Sequence, residues 1–203
     1  MKKRCDIIII TILLILLGVS IWYIHMQRLG AYEWIERGWK RYAKNLDPQF
    51  APVKCLFEVG RKDEAFDLTL VFYVDKQDRV YAMILQKKCL GYDEYAGGSV
   101  DSLISKDFIP EDSIQEMKDA SFLGSTFPRT PESTRYLGDG VFLWGVLYNE
   151  NIIDVEIWGS KATIVSLPDY PTRICYFLHE YDAASEKTND FNYGENGIHL
   201  IYR

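Results

Sequence analysis

Histidine is scarce in this chain, three in 203 residues, and the three stand apart at His25, His179 and His199. The four cysteines form no C-x-x-C pair, so a thioredoxin-like centre or a zinc site lacks its ligands. No G-x-S-x-G is present, and no serine is followed three residues later by lysine, which removes the common serine-nucleophile signatures. No glycine-rich loop follows a strand to cradle a phosphate. Positive charge is also thin beyond the first quarter of the chain. Residues 47–203 hold fifteen Lys and Arg against twenty-six Asp and Glu, a balance of −11. A surface that acidic repels nucleic acid and anionic lipid alike. No cofactor and no metal is expected.

What is abundant is apolar length in one place. Ile7–Ile24, IIIITILLILLGVSIWYI, is an eighteen-residue run behind Met-Lys-Lys-Arg. At helical rise it spans ~27 Å, close to the hydrocarbon thickness of a bilayer. Only Thr11 and Ser20 are polar within it, and both can return their hydroxyls to helix carbonyls. Trp22 and Tyr23 close the run, where amphipathic rings favour the headgroup layer. A cleavable signal peptide shares the basic start, with Gly18 and Ser20 as small residues before a cut. The length of the run and the two aromatics that follow favour an uncleaved anchor. Cys5 lies before the apolar core, so no lipobox exists. Lys2, Lys3 and Arg4 place the N-terminus inside and the rest of the chain outside, although Arg28 and Arg37 follow the run as well.

Residues 1–46 carry eight Lys and Arg against three Asp and Glu, so the basic part sits beside the anchor. Within it, Leu29, Tyr32, Ile35, Trp39, Tyr42 and Leu46 recur at three- and four-residue steps, one helical stripe ended by Asp47-Pro48. Such a helix either docks its stripe on the body or lies in the interface, with Arg37, Lys40, Arg41 and Lys44 meeting anionic headgroups. The chain thus divides into a cytoplasmic tip and transmembrane anchor (1–28), a juxtamembrane amphipathic helix (29–47) and an extracytoplasmic β-rich domain (48–203), with possible halves at 48–120 and 138–203.

In that domain the period changes to two. Val53–Val59, Phe66–Val74 and Arg79–Gln86 read as an antiparallel meander. Lys87–Gly98 is a turn into a short extended piece, and Pro110-Glu-Asp-Ser opens a short helix within 101–120. Residues 121–139, with Pro128 and Pro131 and no periodicity, read as a loop. Gly140–Tyr148 is apolar on both faces and should be a central strand. Ile152–Trp158, Ala162–Leu167, Arg173–Tyr181 and Ile198–Tyr202 complete a mainly β fold, α+β overall, with a meander and sandwich-like body. Cys55, Cys89 and Cys175 allow one disulfide of three pairings and a free thiol.

Chemistry-bearing constellations are weak. Asp154 and Glu156 share one side of a strand, ~6.6 Å apart with Trp158 next in line, a spacing that suits an inverting glycosidase. Any half-exposed strand also carries acids on its wet face. Cys175 and His179 are ~13 Å apart along one strand, too far to hydrogen-bond. Asp190-Phe-Asn192-Tyr-Gly194-Glu195 echoes a calcium loop, but Gly194 stands where a ligand belongs. His179, Glu180, Asp182 and His199 could converge, yet scattered histidines are ordinary in sheets.

The segments QKKCLGYDEYAGG, GVFLWGVLYNENIIDVEI, TRICYF and GENGIHLIY together resemble a pattern found in uncharacterised single-pass membrane-anchored extracytoplasmic proteins of Gram-positive bacteria. The resemblance covers about residues 50–203. It implies an extracytoplasmic body behind one helix, and it carries no established activity. The expected function is a membrane-tethered, non-catalytic binding or interaction module of unknown ligand. The alternatives are a subunit of a membrane complex, packing laterally through Gly18 and Ser20, and a cell-envelope glycan hydrolase using Asp154 and Glu156.

Overall fold

The computed structural model describes residues 2–42, 48–62, 67–103, 115–127, 140–180 and 197–203. Helix α1 is Lys2–Arg28, followed by α2, Ala31–Tyr42. Strands β1 (Lys54–Lys62), β2 (Asp67–Val74), β3 (Arg79–Lys88) and β4 (Gly91–Ser102) form an antiparallel meander in chain order. A short helix α3, Gln115–Asp119, leads directly into β5, Ala120–Phe127. Then come β6 (Gly140–Leu147), β7 (Ile152–Ile157), β8 (Ser160–Lys161), β9 (Thr163–Ser166), β10 (Arg173–Glu180) and β11 (Ile198–Tyr202). The second sheet runs β5-β6-β10-β9, and the third runs β11-β7-β8.

Side-chain alternation stacks these sheets. On β2, Leu68, Leu70, Phe72 and Val74 face the second sheet, where they meet Phe142, Trp144 and Val146 of β6 and Ile174 of β10. The intervening Val71 and Tyr73, with Leu85 of β3, face the other way and receive Ala31, Tyr32 and Ile35 of α2. On β6, Leu143 and Leu147 point away from the first sheet. They join Cys175 and Phe177 against Ile152, Val155, Ile157 and Ile198 of the third. The order of layers is therefore α2, first sheet, second sheet, third sheet. Strand β6 lies between β5 and β10 with both faces covered, which is why it reads as apolar throughout.

Two expectations need correction. Residues 120–127 are a strand, not the start of a loop, paired along their length with β6 from Ala120↔Leu147 to Phe127↔Gly140. The extended piece after Lys88 is not short: at twelve residues it is the longest strand among the described residues. The strand expected over 162–167 is present as Thr163–Ser166, and the chain changes sheets just before it. Ser160–Lys161 pairs with β7, the Ala162 N–H donates to the Val155 carbonyl, and Thr163–Ser166 pairs with β10, so the chain crosses between sheets there. The acidic Asn/Gly-rich segment 181–196, with its calcium-loop echo, lies outside the described residues.

Candidate functional site

The most distinctive arrangement is the junction where α1 meets the body. The segment Ile7–Arg28 is long and apolar enough to cross a membrane, and none of its apolar window is buried by the rest of the chain. Thr11 and Ser20 do return their hydroxyls to the carbonyls of Ile7 and Leu16, each at 2.8 Å. From Leu29 onward the chain turns inward: Leu29 and Ala31 are buried.

Each helix end at this turn is satisfied by the body. Gly30 caps α2; its carbonyl accepts the Trp34 N–H at 3.1 Å, while the Glu33 carboxylate accepts the Gly30 N–H at 3.3 Å, the acidic half of a capping box. Glu58 of β1 accepts the Tyr32 N–H at 2.9 Å, placing a carboxylate at the positive end of α2. At the opposite pole, the Lys87 ammonium donates to the carbonyls of Gln27 (3.0 Å) and Leu29 (3.3 Å), the negative end of α1. Lys87 also sits 4.8 Å over the Tyr92 ring and donates to its hydroxyl at 3.2 Å. The Gln27 amide donates to the Cys89 carbonyl.

The β3–β4 tip is Cys89-Leu90, and the following Gly91 has φ +128. A Cβ there would stand 2.3 Å from the Trp34 ring, so only glycine lets α2 lie this close. Trp34 in turn packs on Tyr92, with ring centroids 6.5 Å apart. Between the tip and α1 lies an open groove of about 610 Å³, walled by Val19, Ser20, Trp22, Tyr23 and Ile24 on one side and Cys89 and Leu90 on the other.

The basic residues singled out on α2 are distributed within this junction. Arg37 is 3.0 Å from the His25 ring nitrogen of α1, and Lys40 pairs with Glu36 at 3.0 Å one turn back. Arg41 is exposed, and Lys44 lies outside the described residues. The sequence reading missed Gln27, Lys87, Leu90 and Gly91. Its one available signal was the Cys-Leu pair at a turn, a position where polar residues and glycine are the rule.

The carboxylate pair sits at the far side of the molecule. Asp154 and Glu156 lie on β7, opposite Ile201 and His199 of β11. Lys161 hydrogen-bonds Asp154, which holds that carboxyl below its ordinary value, the reverse of what a general acid needs. Trp158 does not continue the row. It adopts φ 52 in the turn into β8, and its ring, half-buried, packs edge-on against Phe177 at 6.1 Å, on the core between the second and third sheets. The left-handed backbone breaks the alternation, so the aromatic platform expected beside Asp154 and Glu156 is absent there.

Cys55, Cys89 and Cys175 are free thiols in three separate surroundings. Burial pushes the Cys175 thiol up to about 12, with the charge of Asp154 adding to it, and the Cys55 thiol up to about 11, with Glu58 adding. Both values lie above the unfolded thiol value of ~8.5. Stability from keeping these thiols neutral is therefore complete below about pH 8.5 and is lost as pH rises toward the folded values. In a Cys5→Ser background, alkylation of the native chain at neutral pH is expected to modify Cys89 and spare Cys55 and Cys175. Peptide mass mapping checks this; early modification of Cys175 would contradict the burial. Among the described residues no group of three or more His, Cys, Asp or Glu is placed to hold a metal ion.

Comparison with protein-family models, curated proteins and solved structures finds no match to this chain, so the resemblance to Gram-positive membrane-anchored proteins rests on its motifs alone.

Proposed function

We propose that the chain is a single-pass membrane protein whose β body, held outside the cytoplasm with the N-terminus inside, is a non-catalytic binding or interaction module. One observation carries the anchoring. The large apolar side chains of Ile7–Ile24 are 45–64% exposed, a continuous apolar cylinder that the body leaves uncovered. Soluble proteins rarely leave patches beyond a few hundred Å² open to water, whereas lipid covers such a helix naturally. The non-catalytic part of the reading rests on the candidate groups: Asp154 is paired with Lys161, Trp158 packs against the core between the second and third sheets, and Cys175 is buried.

The test is fractionation of the full chain from its own membranes. The protein is expected in the alkaline-washed pellet at its uncut mass. Replacing Leu14 and Leu17 together by lysine, each costing ~2.5–3.5 kcal/mol at the centre of a span, is expected to move most of it to the supernatant. A C-terminal tag is expected to be cleaved by protease added outside intact cells. Native protein in the soluble fraction would sink the anchor; a protected tag would reverse the orientation.

A further inference from the structure

We infer that the β3–β4 tip is a second membrane contact, and that the groove between it and α1 holds one acyl chain of a bilayer phospholipid. The inference rests on the anchor reading and adds depth to it. Val19–Ile24 are the last six residues of the apolar run, so at 1.5 Å per residue the groove runs ~7.5 Å along the helix axis. That puts Cys89 and Leu90 beside the last turns of the span, level with Trp22 and Tyr23 at the headgroup layer and with Val19 and Ser20 a turn deeper.

The tip has the right chemistry for that depth. Leu90 is 46% exposed, an apolar side chain at the apex of a hairpin. The turn achieves this without polar residues because the left-handed conformation falls on Gly91, one position later. Its position is fixed from behind: Lys87 grips the last carbonyls of α1, and Gln27 holds the Cys89 carbonyl. A hairpin so clamped cannot withdraw Leu90 without breaking those bonds.

The occupant follows from continuity and charge. One wall of the groove is the same uncovered apolar surface as the rest of α1, and its few polar groups are already engaged: the Ser20 hydroxyl on the Leu16 carbonyl, and the Tyr23 hydroxyl and Cys89 carbonyl by the Gln27 amide. Two exposed cations adjoin the lining segments in the chain, Arg28 one turn beyond Ile24 and Lys88 next to Cys89, the latter paired with Asp93 at 3.8 Å; either can meet the phosphate of the phospholipid. The body is acidic beyond residue 46, so a lipid phosphate is drawn to the basic residues beside the anchor rather than to the rest of the body.

The experiment uses the full chain with Cys5→Ser in vesicles of phosphatidylcholine mixed with phosphatidylglycerol. An environment-sensitive fluorophore is attached to Cys89, and a second sample carries it at Val19→Cys with Cys89→Ser. Lipids brominated on the acyl chain near the glycerol are expected to quench both labels. Quenching at position 19 alone, with position 89 quenched by aqueous iodide instead, would overturn the tip insertion and leave the anchor standing. Quenching at neither would overturn both. Native mass spectrometry of the chain released from lipid nanodiscs is expected to show one retained phospholipid, lost in Leu90→Asp but kept in the exposed, distant Ile153→Asp. Equal retention in the wild type and Leu90→Asp would overturn the groove as the binding place.

Discussion

Trp144→Ala is expected to lower the unfolding free energy by about 3–5 kcal/mol, the range for truncating a fully buried aromatic. Trp144 is 1% exposed in β6 and faces the first sheet. Its ring meets Phe72 edge-on at 5.8 Å, and Phe72 is stacked on Phe57 at 4.5 Å and edge-on to Phe142 at 6.1 Å. Removing the indole therefore strips the central ring of this cluster of one wall. The gap cannot close by moving β6, because the other face of that strand is packed through Leu143 and Leu147 against the third sheet. Collapse of one interface would open the other. Against a typical stability of ~5–15 kcal/mol, such a loss removes much of the native population. Val53→Ala, at a site 56% exposed, serves as control and is expected to stay within about 0.5 kcal/mol. Denaturant titration in detergent reads both, and a loss below about 1.5 kcal/mol for Trp144→Ala would mean that the layers can close independently.

The same layering explains what sequence patterning captures and what escapes it. The strands β1 to β3 were legible because alternation survives even where both faces are apolar: Phe72 and Tyr73 differ in which layer they meet, and the turn Asp75–Asp78 between β2 and β3 is polar. That turn is built on buried Asp75, whose carboxylate accepts the N–H groups of Gln77 (2.8 Å) and Arg79 (3.1 Å). By contrast β5, ASFLGSTF, carries Gly124 and two serines and shows no period, because its role is to pair with β6 at the edge nearest β4. Its Leu123 occupies the space left by Gly98, where a Cβ would stand 2.2 Å from Leu123 Cδ2. A contact that depends on the absence of a side chain in another strand leaves no local pattern.

The candidate site was less legible still, for a related reason. A helical run long enough to span is a one-dimensional property, and Ile7–Ile24 displays it outright. The junction is a matter of what lies above the end of that run. Lys87 reads as one of two hairpin lysines until its ammonium is found on the carbonyls of Gln27 and Leu29, some sixty positions away. Trp158 misled in the opposite direction: alternation put it beside Asp154 and Glu156, and a single left-handed φ turned it onto Phe177.

Gly91→Ala is expected to cost about 2–6 kcal/mol, combining ~1–3 kcal/mol for an L-residue held at φ +128 with ~1–3 kcal/mol of overpacking. The damage should be local. The added methyl lands 2.3 Å from Trp34 Cζ3, and Trp34 is the residue through which the far side of α2 leans on Tyr92. The aromatic core between the first two sheets contains neither residue. Amide exchange is therefore expected to accelerate in Ala31–Tyr42 and at the β3–β4 tip while β6 and β10 keep their protection. Gly60→Ala, where an added Cβ meets nothing within 4 Å, is expected to be near neutral. The mechanism is separable by a double-mutant cycle, because Trp34→Ala removes the ring that the new methyl strikes. If steric conflict carries the effect, the double variant is less destabilised than the sum of the singles by roughly 1–3 kcal/mol. If the two changes add within about 0.5 kcal/mol, the cost lies in the backbone of Gly91 alone, and the close approach of α2 to the tip contributes nothing to holding the junction shut.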